Sequence, residues 1–149
     1  MLSATHMLFA LSLAYISRFP RVPAMIGGVI PDLDYVMDYG FPFSHRGLVH
    51  TLAFMSLSMI AVYLLSRKTG LTLGFGLGFL SHLFLDSMNP TGIAWLYPLT
   101  PAFFSLDLAY YNDPAANLGI ILLSLAFVWI WKTRRTLWKN FSGFLQWQP

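Results

Sequence analysis

Two stretches of this sequence carry no charge, and each stops at a basic cluster. Thr51 to Ser66 runs into Arg67-Lys68, and Pro114 to Trp131 runs into Lys132, Arg134 and Arg135. Uncharged runs of this kind suit helices in hydrocarbon, because a helix satisfies its own backbone and leaves only side chains to meet lipid. The composition agrees: 56% of the 149 residues are apolar, 17% are aromatic and only 10% are charged, whereas soluble domains carry roughly 25% charged residues. Mean hydropathy is +0.61. The chain contains no Glu, so few of its acids read as surface decoration, and no Cys, which excludes disulfides and thiolate ligands. Although the pI is near 9.4, the basic residues sit at the ends of apolar runs rather than in one soluble segment. No nucleic-acid partner is expected. The expectation is a single membrane-embedded domain over residues 1–149, with the lipid bilayer as its surroundings.

Five apolar segments follow. Ala4 to Ser17 ends in Ser17-Arg18-Phe19-Pro20-Arg21, and no Lys or Arg precedes it, so a cleaved signal peptide is not expected. Its 14 residues reach about 21 Å as a helix. Val22 to about Val36 contains Gly27-Gly28 and Pro31, and Pro31 should break or kink it. Thr51 to Ser66 becomes long enough to span if Ser44 is its N-cap. Leu71 to about Asn89 carries Gly74, Gly76 and Gly78, which permit close helix contact. Pro114 to Trp131 follows Asp113, a good cap. The fold expected is an all-α membrane protein of about four transmembrane helices plus a kinked or re-entrant segment. Asn89 to Asp113, with four prolines or glycines at Pro90, Gly92, Pro98 and Pro101, reads as a loop.

If the chain alternates sides, every basic residue except Arg46 falls on one face and all six Asp residues on the other. The positive-inside rule makes the basic face cytoplasmic, with residues 132–149 as a basic cytoplasmic tail. Multi-pass insertion is then expected.

All four histidines lie in short clusters with acids: His6; Asp32 and Asp34 after Pro31; His45-Arg46 and His50; and His82 with Asp86. Charge alternation brings each cluster to the outer face. Ionisable groups at membrane depth are expensive and mark function, and His with Asp is a ligand set for zinc, manganese or iron. His82 and Asp86 are four apart and share a helical face, so they can bind one metal, or Asp86 can orient His82. His45 and His50 converge if the helix starts near Gly47. In an extended stretch Asp32 and Asp34 share a side, so one can bridge two metals while the other holds a histidine. Arg46 can bind a phosphate oxygen or neutralise a neighbouring acid. Asp38, Asp107 and Asp113 read as caps and loop residues.

Thr5-His6, Pro31-Asp32-Leu33-Asp34, His45-Arg46-Gly47-Leu48-Val49-His50, Ser81 to Ser87 and Pro90-Thr91-Gly92, in this order, resemble the YdjM-type family of inner-membrane proteins, described as membrane-bound metal-dependent hydrolases. The resemblance spans residues 1 to about 107 and implies the inner membrane as the location. The order His, Asp, His, then H-x-x-x-D is also similar to that of zinc-dependent phospholipases C and related zinc nucleases. That similarity implies His6, Asp32 or Asp34, His45 or His50, His82 and Asp86 as ligands, with Asp86 a possible bridge. Those enzymes carry further histidines after the H-x-x-x-D pair and this chain has none after His82, which fits one or two metals rather than three.

The function expected is hydrolysis of a phosphoester in a lipid or lipid-linked substrate, with one or two divalent ions, zinc first and manganese next. Asp34 and Arg46 are the expected catalytic residues; the ligands are drawn from His6, Asp32, Asp34, His45, His50, His82 and Asp86. The alternatives are a scaffold with a structural metal, or a transporter. The uncharged interiors of segments three and five count against a transporter.

Overall fold

Glycines decide how closely the helices of this chain approach. In the structure, a computed structural model that describes residues 1–37 and 45–145, a Cβ added to Gly78 would run into the main chain at Ala24, and one added to Gly27 into the main chain at Phe75. The two helices that carry them therefore meet backbone to backbone. They are α2 (Arg21–Gly27) and α4 (Thr69–Asp86), and α4 is the centre of the molecule. Around it pack α1 (Ser3–Ser17) and α3 (Leu52–Ser66), while α5 (Pro114–Leu145) lies against α1. Phe75, Phe79 and Leu83 of α4 form the core with Ile93, and Phe54, Met55 and Met59 of α3 close over it.

Local chemistry sets the ends. α1 stops at Arg18 in the left-handed region (φ 62°), two residues before Pro20. Pro31 does break the second segment: α2 ends at Gly27 and a 3₁₀ helix takes over at Ile30–Met37. Thr51 caps α3, its hydroxyl accepting from Phe54 N at 3.1 Å. Asp113 caps α5, Oδ1 accepting from Ala115 N at 2.8 Å and Ala116 N at 3.1 Å. Ser44 and Asp38, expected as cap or loop residues, lie outside the described residues. The loop from Asn89 to Asp113 contains no helix, and one antiparallel bridge pairs Ile93 with Phe104.

Four membrane crossings are not what these helices provide. Among the described residues, only Pro114–Arg134, with 21 residues, is both long and apolar enough to cross a membrane. α3 begins at Leu52, behind the Thr51 cap, and not at Ser44. It and α1 have 15 residues each, about 22 Å of helix against about 30 Å of hydrocarbon. α4 is longer, but its Gly74, Gly76, Gly78, Thr72, Ser81, His82 and Asp86 face inward and are buried against neighbouring elements. Its apolar run serves protein packing. The sequence pattern alone does not separate a buried core helix from a lipid-facing one.

α1 and α5 run alongside each other in the same direction: Thr5 donates to Asn117 at one end, and the Lys132 ammonium sits 5.6 Å from the Tyr15 ring at the other. α3 runs the same way and α4 returns. Arg18, Arg21, Arg67, Lys68 and Lys132 therefore gather at one end of the bundle, and His6, His50, His82 and Asp86 at the opposite end.

Candidate metal centre

The bundle end opposite the basic residues is built from four pieces of chain. α1 supplies His6 from near its start, and α4 supplies His82 and Asp86 from its C-terminal end. The 3₁₀ helix after Pro31 carries Asp32 and Asp34, and a 3₁₀ turn at Leu48–His50 delivers His50. Because Gly47 precedes that turn, His45 and Arg46 stay outside any helix. Arg46 adopts a left-handed φ of 68°, a conformation that non-glycine residues rarely take and that collects at functional sites. Its amide donates to Asp34 Oδ2 at 3.3 Å.

Two sets of ligand atoms emerge. His6, Asp32, His82 and Asp86 form one, and Asp32, His45, His50 and Asp86 the other, each with its atoms within 4.8 Å of one another. Asp32 and Asp86 belong to both. Asp86 Oδ1 is 3.2 Å from His6 Nε2. Asp86 Oδ2 is 3.3 Å from His50 Nε2 and 3.5 Å from His82 Nε2. Asp32 Oδ1 lies 3.6 Å from His82 Nε2, and Asp32 Oδ2 accepts from the Ser3 hydroxyl. The Met1 amine is a further neighbour of Asp86 Oδ1, at 3.1 Å. His6, His50 and His82 are wholly buried, while the side chain of His45 retains 17% exposure.

Asp34 stands apart from both sets. Its Oδ1 is 2.7 Å from His45 Nδ1 and its Oδ2 is 3.1 Å from His50 Nδ1. It therefore sits behind the two histidines. Burial pushes its carboxyl up, but the hydrogen bonds to His45 and His50 outweigh this and hold it below the usual carboxylate range. Burial pushes the His50 imidazole down, and the carboxylates of Asp34 and Asp86 more than reverse that, leaving it above its ordinary value.

The donor chemistry fits a cation. His82 Nδ1 lies 2.9 Å from the Gly28 carbonyl, which can only accept, so Nδ1 bears the proton and Nε2 a lone pair. His50 Nδ1 lies 3.1 Å from Asp34 Oδ2 without an aligned hydrogen bond. His50 Nε2 lies 3.1 Å from the His82 Nε2 lone pair, with Asp86 alongside. A proton on His50 Nε2 satisfies that contact, and a metal ion between the two rings would take its place. His6 Nδ1 and Nε2, His50 Nδ1 and Asp86 Oδ2 are buried without an aligned hydrogen bond, although carboxylate oxygens or ring nitrogens lie within 3.3 Å of all but His6 Nδ1. Close approach without alignment is what ligands of a shared ion show.

Arg46 flanks this cluster, its Nη2 3.6 Å from Asp86 Oδ1 and its Nη1 donating to the Thr91 hydroxyl. Sequence reasoning gave no role to Asn89 or Thr91, or to the Gly28 carbonyl that fixes His82. For Asn89 and Thr91 a signal existed: they follow Asp86 within five residues and flank Pro90. Asp107 is exposed and in the loop.

Fold and site together define an α-helical protein with, among the described residues, one helix able to cross a membrane and a buried histidine–aspartate cluster that could hold a metal ion. The chain belongs to the YdjM inner membrane protein family, whose sequence model matches residues 1–146. No curated protein and no solved structure matches it.

Proposed function

We propose that the protein is a membrane-bound metal-dependent hydrolase that cleaves a phosphoester in a lipid or lipid-linked substrate. The observation that carries this reading is the sharing of Asp32 and Asp86 between two ligand sets. Two carboxylates common to two sets of histidines suit a pair of ions, with His6 and His82 on one side and His45 and His50 on the other. Nitrogen and carboxylate donors without thiols favour zinc, then manganese. Bound ions of this kind supply an acidified water and charge against phosphoryl oxygens.

The chain's own residues divide the remaining work. Asp34 acts through the histidines: both its oxygens are engaged, and its depressed acidity range makes it a poor base. The Gly28 carbonyl fixes His82 in the same manner, as carboxylates and carbonyls do for metal-bound imidazoles generally. Arg46 offers a cation to a phosphoryl oxygen beside Asp86. The exposure retained by His45 marks the side of entry.

An apolar cavity of about 360 Å³ between α1, α2 and the 3₁₀ helix supports a lipid substrate. Its lining includes Met7, Val29, Ile30 and Leu33, of which Met7 directly follows His6 and Leu33 directly follows Asp32. A chain lying there would bring its headgroup to the cluster. The basic end, with Lys132 and Arg134 closing the apolar stretch Pro114–Arg134 of α5, is the cytoplasmic one by the positive-inside rule, which turns the metal end towards the outer face.

The test is metal analysis of detergent-purified protein together with a hydrolysis screen over phospholipids, lipid phosphates and soluble phosphoesters. One or two ions per chain with metal-dependent release of phosphate or headgroup is expected. A fully occupied centre with no turnover on any substrate would overturn hydrolysis. It would leave a metal that clamps α1, the 3₁₀ helix and α4 together, a reading favoured by the complete burial of His6, His50 and His82.

A further inference from the structure

The loop that leaves α4 passes directly beside this cluster. Asn89 is one turn beyond Asp86, and its amide donates to the Asp86 carbonyl at 3.2 Å. Its own carbonyl accepts from Gly92 N at 2.9 Å and from the Ser105 hydroxyl at 2.7 Å. The turn needs Gly92, which sits at φ +64° where a Cβ would strike the main chain of Phe104. Asn89 is therefore held rigidly, with 2% of its surface exposed.

Its carboxamide is oriented as well. Oδ1 accepts from Thr91 N at 3.0 Å and from the Thr91 hydroxyl at 2.9 Å. The same hydroxyl accepts from Arg46 Nη1. With Oδ1 engaged by two donors, the amide cannot be turned over, and Nδ2 is fixed on the other side. That Nδ2 is buried and has no hydrogen-bond partner among the described residues. A buried donor left unpaired is unfavourable, and native structures retain few of them without a reason. Here a carboxamide that carries an oriented, unpaired donor is linked through one hydroxyl to a buried guanidinium that itself reaches Asp86.

We propose that Asn89 and Arg46, braced by Thr91, form an oxyanion subsite that binds a phosphoryl oxygen of the substrate next to the metal cluster. This rests on the phosphoesterase reading and adds to it a binding residue, Asn89, and a role for the Pro90-Thr91-Gly92 turn. The ligand chemistry is a tetrahedral phosphate, carried either by a lipid headgroup or by a soluble ester.

The experiment is calorimetric titration of the full-length chain, in nonionic detergent and loaded with zinc, by inorganic phosphate and separately by dodecyl phosphate. Metal content is measured on the same samples. Asn89→Ala should weaken both ligands by about tenfold to a hundredfold, the loss expected for one hydrogen bond to a charged group, with zinc retained. Asn89→Asp keeps an acceptor for Thr91 and loses the donor, so it serves if the alanine variant does not fold, and it should weaken binding at least as much. Dodecyl phosphate binding at least tenfold more tightly than inorganic phosphate assigns the subsite to a lipid headgroup, and equal affinities assign it to a soluble ester. A folded, zinc-loaded variant that binds phosphate within twofold of wild type overturns the subsite, as does zinc-loaded wild type that binds neither ligand. A wild-type chain that takes up no zinc overturns the parent reading instead. Phosphate titration of that chain and of Asn89→Asp still decides the subsite on its own.

Discussion

The Nε2 atoms of His50 and His82 face each other across 3.1 Å, while the opposite ring nitrogens rest on Asp34 and the Gly28 carbonyl. The Gly28 carbonyl thus fixes His82 from behind, and the two rings meet in a cluster that could hold a metal ion. His82→Ala or Asp86→Ala should therefore reduce zinc or manganese occupancy strongly, because His82 belongs to one ligand set and Asp86 to both. Metal analysis after gel filtration checks this. Asp86→Ala should lose more than His82→Ala, and equal wild-type content in both variants would remove the pair from the ligand shell.

Asp34→Asn separates holding from ligating. The carboxylate contacts His45 and His50 and is absent from both ligand sets. Loss of such a supporting partner costs about 10- to 100-fold in metal affinity. The loss should be confined to the ion served by His45 and His50, so chelator titration should show one weakened ion and one unchanged. Equal weakening of both would contradict the division of the cluster into two sets.

Acid should release metal, and alkali should destabilise the metal-free chain. His50 has its imidazole pKa raised above the ordinary 6.5 by Asp34 and Asp86, against the effect of burial. A raised histidine contributes stability that is fully present below about 6.5 and is lost as pH rises through the folded value. Metal needs the neutral ring, so it displaces that proton, and apparent affinity falls by about tenfold per pH unit for each proton displaced. Melting temperatures of chelated and zinc-loaded protein should diverge as pH is raised from 6 to 9. A gap that narrows over this range would contradict the assignment of His50 as a ligand.

Much of this arrangement was legible in the sequence for a simple reason: charge was rare, so each buried His or Asp stood out. The His82–Asp86 pair follows from helical spacing, and the break at Pro31 from ring chemistry. The end of α1 and the start of α5 follow from the basic and proline boundaries, whereas α4 runs from Thr69 to Asp86 and not from Leu71 to about Asn89. The number of crossings did not follow. The Gly74, Gly76 and Gly78 pattern reads equally well as a membrane interface or as a tight core, and only three-dimensional contact decides that α4 is inside. Asp34 also escaped a unique role, because a carboxylate two residues from another can face a metal or the histidine behind it, and the 3₁₀ geometry that chooses is not encoded in spacing. Asn89 was overlooked because an amide carries no charge to draw attention.

Packing and metal binding should be coupled through Gly78. A Cβ there would meet the main chain at Ala24 and, at 2.9 Å, Gly28 N. Forcing α2 off α4 costs about 1–3 kcal/mol as overpacking and moves the Gly28 carbonyl away from His82 Nδ1. Gly78→Ala should lower both the melting temperature and zinc affinity, although it touches no ligand. Gly70→Ala, where a Cβ meets nothing within 4 Å, is the control and should change neither. Reduced stability of Gly78→Ala with unaltered zinc affinity would uncouple the Gly28 contact from the metal.

The last prediction concerns sidedness. Among the described residues, Pro114–Arg134 of α5 is the stretch able to cross a membrane, and its two ends differ in charge: Asp113 caps its start, while Lys132 and Arg134 lie at its end. The positive-inside rule sends the basic end to the cytoplasm. The remainder of the bundle agrees, with Arg18, Arg21, Arg67 and Lys68 at the same end as Lys132 and the metal cluster at the other. A reporter fused after Pro149 should therefore be active in the cytoplasm. Asp107, exposed in the loop on the metal side, should as Asp107→Cys be modified by a membrane-impermeant thiol reagent added to spheroplasts. An external reporter combined with labelling only after lysis would place the metal centre, and any lipid phosphate it acts on, in the cytoplasmic leaflet.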